Sequence, residues 1–226
     1  MKGLLIFFFF FQSAFSHPAQ KIILGDFNEL KVYDGLNVVL IKSDTNTATI
    51  SGDNQNKVLV INKSGILKLK MEWFKRLKGE NTIVRIEHKT PILLIESTQG
   101  SKVISENPII QATLYLKAGS GGQINVFVEC EKTRSIVVSG GTITLKGKTR
   151  SLEAKARSGG ELHAPNLISN QTKASASTGG VCSAFAKNVF EADASLGGEI
   201  KIYGSPKTLI QQSFLGGIIN QINKDE

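Results

Sequence analysis

Ser139-Gly140-Gly141-Thr142-Ile143-Thr144-Leu145 is one copy of a pattern that recurs through the second half of the chain: a glycine doublet, then alternating apolar and polar residues. Doublets begin at positions 121, 140, 159, 179, 197 and 216, in steps of 19, 19, 20, 18 and 19 residues. Chance does not space six pairs so evenly. A fixed period near twenty residues points to a solenoid in which each repeat is one unit stacked on its neighbours.

Side chains share the period. The third residue after the first glycine reads Ile124, Ile143, Leu162, Cys182, Ile200 and Ile219, and the fifth reads Val126, Leu145, Ala164, Ala184 and Ile202. Between them stand Asn125, Thr144, His163, Ser183 and Lys201. Alternation with a period of two is a strand with one buried face. A second alternating stretch closes each repeat, as in Leu152-Glu153-Ala154-Lys155-Ala156 and Lys173-Ala174-Ser175-Ala176. Its inward residues are mostly alanine, so the solenoid is narrow there. Alanine also favours helices, but the spacing of two and the crowding of Ser, Thr and Gly reject a helix.

Glycine at each corner permits a positive φ or close approach of the next coil. Such doublets are architectural. A phosphate cradle would be one Gly-rich loop opening a helix, whereas these pairs open strands. With coils rising by roughly 4.8 Å, Cys130 and Cys182 lie in different columns about 14 Å apart along the axis. A disulfide needs Cα atoms within about 7 Å, so two buried, unpaired thiols are expected.

Residues 25 to 95 lack the doublets but are strand-rich, with alternating or apolar runs at 30–32, 36–41, 48–50, 58–61, 66–71, 83–86 and 92–95. Asp34-Gly35, Lys63-Ser64-Gly65 and Lys78-Gly79 supply turn chemistry between them. This half is expected to cap the open end of the solenoid, where a bare edge would invite pairing. The organisation expected is a signal peptide over 1–16, a β-rich region over 17–98 and the solenoid over 99–226.

The signal peptide is read from Lys2, the apolar run Leu4 to Phe11 and the small residues Ala14 and Ser16. That run is shorter than the roughly 20 residues of a membrane-spanning helix. No cysteine follows it to carry a lipid. An exported chain that is periplasmic, outer-membrane-associated or extracellular is therefore expected. Its charge of +8 has a local concentration at Lys57, Lys63, Lys68, Lys70, Lys75, Arg76 and Lys78. The plain reading is a solvated strand face. In an exported protein the alternative is a surface for anionic glycans, lipopolysaccharide or lipid headgroups, and not for nucleic acid. Trp73 and Phe74, beside these cations, read as core at a junction, with sugar stacking as the alternative.

Several stretches together resemble the bacterial family described as "putative auto-transporter adhesin, head GIN domain", found mainly in exported proteins of Bacteroidota. They are Phe27-Asn28-Glu29-Leu30-Lys31-Val32, Gly35-Leu36-Asn37-Val38, the Ser-Gly-Gly steps at 139 and 158, and Tyr203-Gly204-Ser205-Pro206-Lys207 leading to Leu215-Gly216-Gly217-Ile218. The resemblance covers about residues 25 to 219. It implies an exported, all-β, right-handed parallel β-helix-like solenoid with an adhesin-like role. It brings no catalytic residues. The tripeptide Gly-Ile-Asn itself does not occur here, the nearest forms being Gly122-Gln123-Ile124-Asn125 and Gly217-Ile218-Ile219-Asn220.

Solenoids also carry polysaccharide lyases and hydrolases, which need clustered acids. The nearest candidate pair is Glu161 with Glu199, two coils apart with Val181 between them, at the upper edge of the spacing inverting glycosidases use. His17, His88 and His163 are scattered and form no metal-ligand spacing. The expectation is a non-enzymatic module without cofactor or metal. It would present the ladder Asn125, Thr144, His163, Ser183, Lys201 to a glycan, an envelope component or a protein.

Overall fold

A computed structural model describes residues 19–222. The chain is nearly all β and winds as a β-solenoid of about seven turns. The first half contains β1 (Gln20–Ile23), β2 (Glu29–Val32), β3 (Asn37–Lys42), β4 (Thr47–Gly52), β5 (Val58–Lys63), β6 (Ile66–Met71), β7 (Thr82–His88) and β8 (Leu94–Ser97). The coils continue through β9 (Lys102–Ser105), β10 (Ile109–Ala118), β11 (Gln123–Val137), β12 (Thr142–Arg157) and β13 (Glu161–Ser177). The last coils split into β14 (Val181–Phe185), β15 (Val189–Ser195), β16 (Glu199–Tyr203), β17 (Thr208–Phe214) and β18 (Ile218–Ile222). The segment 1–16 read as a signal peptide lies outside the described residues.

Parallel pairing stacks equivalent positions. Val84, Val38, Val103, Ile124, Ile143, Leu162, Cys182, Ile200 and Ile219 form one continuous inward column. All but the terminal Ile219 are buried. Burying one such side chain contributes about 1.5–3 kcal/mol, so the column is a main source of cohesion between coils. On the narrower wall Ala154, Ala174 and Ala192 stack in register, as do Ala156, Ala176 and Ala194, and all are buried. Cys130 and Cys182 are both buried and free.

The glycines of a doublet divide the work. In the turn Val138 to Gly141, Ser139 and Gly140 have φ of 52° and 67°, and the Gly141 N–H donates to the Val138 carbonyl at 3.0 Å. That is the requirement of a type I′ turn, which needs positive φ at both central residues. A Cβ on Gly140 would meet nothing, whereas one on Gly141 would lie 2.7 Å from the Ala118 carbonyl carbon of the previous coil. The first glycine serves conformation and the second serves contact.

The step of 20 between Gly159 and Gly179 has a local cause. Pairing slips by one between Thr144 and Lys146, where Ala164 and Pro165 oppose the single residue Leu145. This is a β-bulge, a position that tolerates proline. On the outer face Arg134, Glu153, Lys173 and Glu191 stack with alternating sign. The pairs Arg134–Glu153 at 3.3 Å and Lys173–Glu191 at 2.9 Å favour this register.

Space does not follow sequence at the start of the stack. Strand β2 lies between β6 and β8, and β3 between β7 and β9, all parallel. Residues 29–42 are therefore a coil threaded inside the pile. Beyond it β5 runs antiparallel to β6, while β4 runs antiparallel to β7 and β1 to β4.

A basic aromatic cleft as the candidate functional site

The connection from β6 to β7 is a short projecting loop, built on the corner that links β2 to β3. Its backbone is tied down at both ends: the Glu72 N–H donates to the Lys57 carbonyl at 2.9 Å, and the Gly79 N–H to the Asp34 carbonyl at 3.0 Å. Gly79 allows this docking, since a Cβ there would sit 2.7 Å from the Asp34 oxygen. Between these anchors Trp73–Lys75 form a single helical turn, with the Lys75 N–H on the Glu72 carbonyl at 2.8 Å.

The tip corrects the expectation that Trp73 and Phe74 are core. Trp73 is 73% exposed and Phe74 91%. No described segment covers the loop, so among the described residues these rings face water. The Arg76 guanidinium lies over the Trp73 ring, 4.9 Å from its centroid, within cation–π range. Arg76 is steered by Asp34, whose Oδ1 lies 3.8 Å from Nε while its Oδ2 accepts the Met71 N–H at 3.2 Å. Asp34 is buried, so one carboxylate couples the corner of the coil to the exposed cation.

Below the loop Trp73, Arg76, Tyr33, Met71, Lys68 and Lys70 line an open cleft of about 450 Å³. Lys68 and Lys70 point outward from β6, which has alternating exposed and buried positions. Among the described residues, Lys68, Lys70, Lys75 and Lys78 lie within 4.0 Å of no carboxylate. Lys57 is compensated by Glu72 at 3.3 Å. Burial, and then the charge of Glu96, push the Tyr33 phenol above its ordinary value, so it stays a hydrogen-bond donor at neutral pH. The cleft thus offers an aromatic face, a phenol and three or more cations, a set suited to a ring that carries acid groups.

The other sequence candidates fall elsewhere. Asn125, Thr144, His163, Ser183 and Lys201 do stack in register across five coils. Ser183 is buried, however, so the strip is interrupted. Glu161 and Glu199 flank Val181 on one ladder, but each turns to its own strand, Glu161 to His163 at 3.0 Å and Glu199 to Lys201 at 3.5 Å. No group of three or more potential metal ligands occurs among the described residues. No helix among them is long and apolar enough to cross a membrane.

No curated protein matches the sequence. Among solved structures, the fold is similar to that of a "putative adhesin" from Bacteroides fragilis, at 20% identity and a TM-score of 0.81 over 90% of this chain and 96% of that one. It is also similar to a "putative adhesin" from Parabacteroides merdae, at 17% identity and a TM-score of 0.67 over 91% and 95% of the two chains. A "putative lipid binding protein" from Parabacteroides distasonis matches at 16% identity with a TM-score of 0.68 over 91% and 96%. A family model matches residues 26–206, and the chain belongs to the family described as putative auto-transporter adhesin, head GIN domain.

Proposed function

We propose that the chain is an exported, non-enzymatic, adhesin-like binding module of the bacterial envelope, and that the Trp73 cleft takes units of an anionic glycan. The observation that carries this reading is the Arg76–Trp73 stack beside Lys68 and Lys70, cations with no acidic partner. Lys68 and Lys70, on strand β6, are ready for an anion, since neither has an internal ion pair to break first. An exposed aromatic face adds stacking to charge. The membership of an adhesin family and the names of the similar structures agree with a binding role.

The test is binding to an acidic polysaccharide and to a neutral one of matching backbone, with the double variant Lys68→Glu/Lys70→Glu beside the unaltered chain. The acidic polymer alone should bind, and the double variant should lose that binding. Equal binding of the neutral polymer, or no effect of the charge reversal, would remove the cleft from the account. Release of new reducing ends or unsaturated products would show an enzyme instead.

A further inference from the structure

The two ends of the solenoid are finished differently. At the first end the terminal strands β1 and β5 run antiparallel to their neighbours and carry Lys21 and Lys63, the charges that discourage edge pairing. At the other end, among the described residues, β17 pairs only with β15 and β18 only with β16, which leaves one edge of that coil without a partner strand there. From Thr208 to Asn223 there is no charged residue, in a chain of net charge +8.

The side-chain pattern of this coil is mixed: Leu209 and Ile219 still pack against the core, but the other inward positions turn polar. Those positions continue the columns of Ala192, Ala194 and Ile202 but hold Gln211, Ser213 and Gln221. Its outward positions hold Ile210, Phe214, Ile218 and Ile222, all exposed. The corners change as well. The residue before the first glycine is polar at Asp34, Gln99, Ser120, Ser139, Ser158 and Thr178, but is Leu196 and Leu215 at the last two, with φ of 50° and 47°. Leucine gains nothing there to offset a left-handed backbone, and Leu196 and Leu215 are 54% and 61% exposed. Burial of these leucines against a partner would offset the cost of the left-handed backbone that they adopt.

We propose that this last coil docks against the same coil of a second copy, giving a tail-to-tail dimer that leaves the two Trp73 clefts at its far ends. Charge selects the occupant. Two copies of a strongly basic chain repel over most of their surface, whereas the strands β17 and β18 of this end carry no charge to desolvate. A two-fold axis perpendicular to the stack sets the strands of the two copies antiparallel, so their free N–H and C=O groups can pair. It also makes the contact closed and self-complementary. Head-to-tail stacking would instead press Lys21 and Lys63 onto the neutral end. A dimer with one cleft at each end would bind repeating surfaces with avidity.

Sedimentation velocity of the purified chain across the micromolar range tests this. A monomer–dimer equilibrium that persists in molar NaCl is expected, because no ion pair holds it. Phe214→Lys/Ile218→Lys should raise the dissociation constant by roughly a hundredfold, since the two-fold brings each new charge near its own copy. Phe127→Lys, a substitution on an exposed residue in mid-solenoid, should leave it unchanged. Leu215→Asn should weaken the dimer while raising the melting temperature of dilute monomer, since asparagine tolerates the left-handed backbone. A monomer at all concentrations, a dimer indifferent to the charged and Leu215 variants, or growth beyond the dimer would each overturn the proposal.

Discussion

Alanine at Gly140 and alanine at Gly141 should have very different costs, although the two are adjacent and both exchange glycine for one methyl group. At Gly140 the Cβ enters open space, and the penalty is the left-handed φ of 67°. That costs about 1–2 kcal/mol, of which about 0.4–1 kcal/mol is offset by the stiffer unfolded chain. At Gly141 the Cβ would stand 2.7 to 2.9 Å from three backbone atoms of Ala118 and Gly119. Backbone cannot swing aside as a side chain does, so overpacking of about 1–3 kcal/mol is expected. Pushing the coils apart also weakens the bonds from the Thr142 N–H to the Gly122 carbonyl and from the Glu161 N–H to the Gly141 carbonyl, both 2.9 Å. At about 0.5–1.5 kcal/mol each, these bring the total to roughly 2–6 kcal/mol. For a chain of this size about 1 kcal/mol moves the melting temperature by roughly 2–4 °C. Calorimetry should therefore show a small shift for Gly140→Ala and a larger one, of at least about 4 °C, for Gly141→Ala. Gly140→Asn should fall closer to the unaltered chain. Equal losses at the two positions, or a larger loss at Gly140, would refute the division of roles.

Three further outcomes follow from buried and coupled groups. Burial pushes the Cys182 thiol up to about 12, so native protein at pH 8 should resist a thiol reagent there and react only on unfolding. Labelling at the rate of the denatured chain would contradict that burial. Burial holds His88 below its ordinary 6.5, outweighing its bond to the Thr90 carbonyl. The unfolded chain then binds the proton more tightly, so stability is full above roughly pH 6.5 and falls as the pH drops through the lowered native value. Thermal melts of the unaltered chain should show this decline, and His88→Asn should flatten it. Asp34→Asn keeps the left-handed corner but removes the charge that steers Arg76, and should weaken acidic-glycan binding with little loss of melting temperature; unchanged binding would remove Asp34 from the site.

The period and the inward columns were legible because a solenoid repeats its local physics. One alternating strand, read at Ile143 and aligned with Ile124 and Leu162, carries the register of most of the stack. The longer step also has a sequence cause, the bulge at Pro165. The threading of residues 29–42 between β6–β7 and β8–β9 was not legible. Nothing in Leu30 or Val38 distinguishes a coil stacked on its sequence neighbour from one stacked on a strand sixty residues away. The site was half legible. Its cations and rings stand together in the sequence at 68–78, but burial statistics favour a core for Trp73 and Phe74. Only the length of the loop and its anchoring at Gly79 turn them outward. The mixed pattern of the final coil, with Gln211 and Gln221 inward and Phe214 and Ile218 outward, was present in the letters. It acquires meaning only when the coil is seen to have no further neighbour among the described residues.

Trp73 is the single tryptophan of the chain, so emission excited where tryptophan but not tyrosine absorbs reports on the proposed site alone. Titration with an acidic polysaccharide should shift or quench that emission in step with binding measured independently, and salt should reverse both together. The neutral polymer should do neither. Binding of the acidic polymer with no change in Trp73 emission would place the ligand elsewhere on the solenoid and contradict the account.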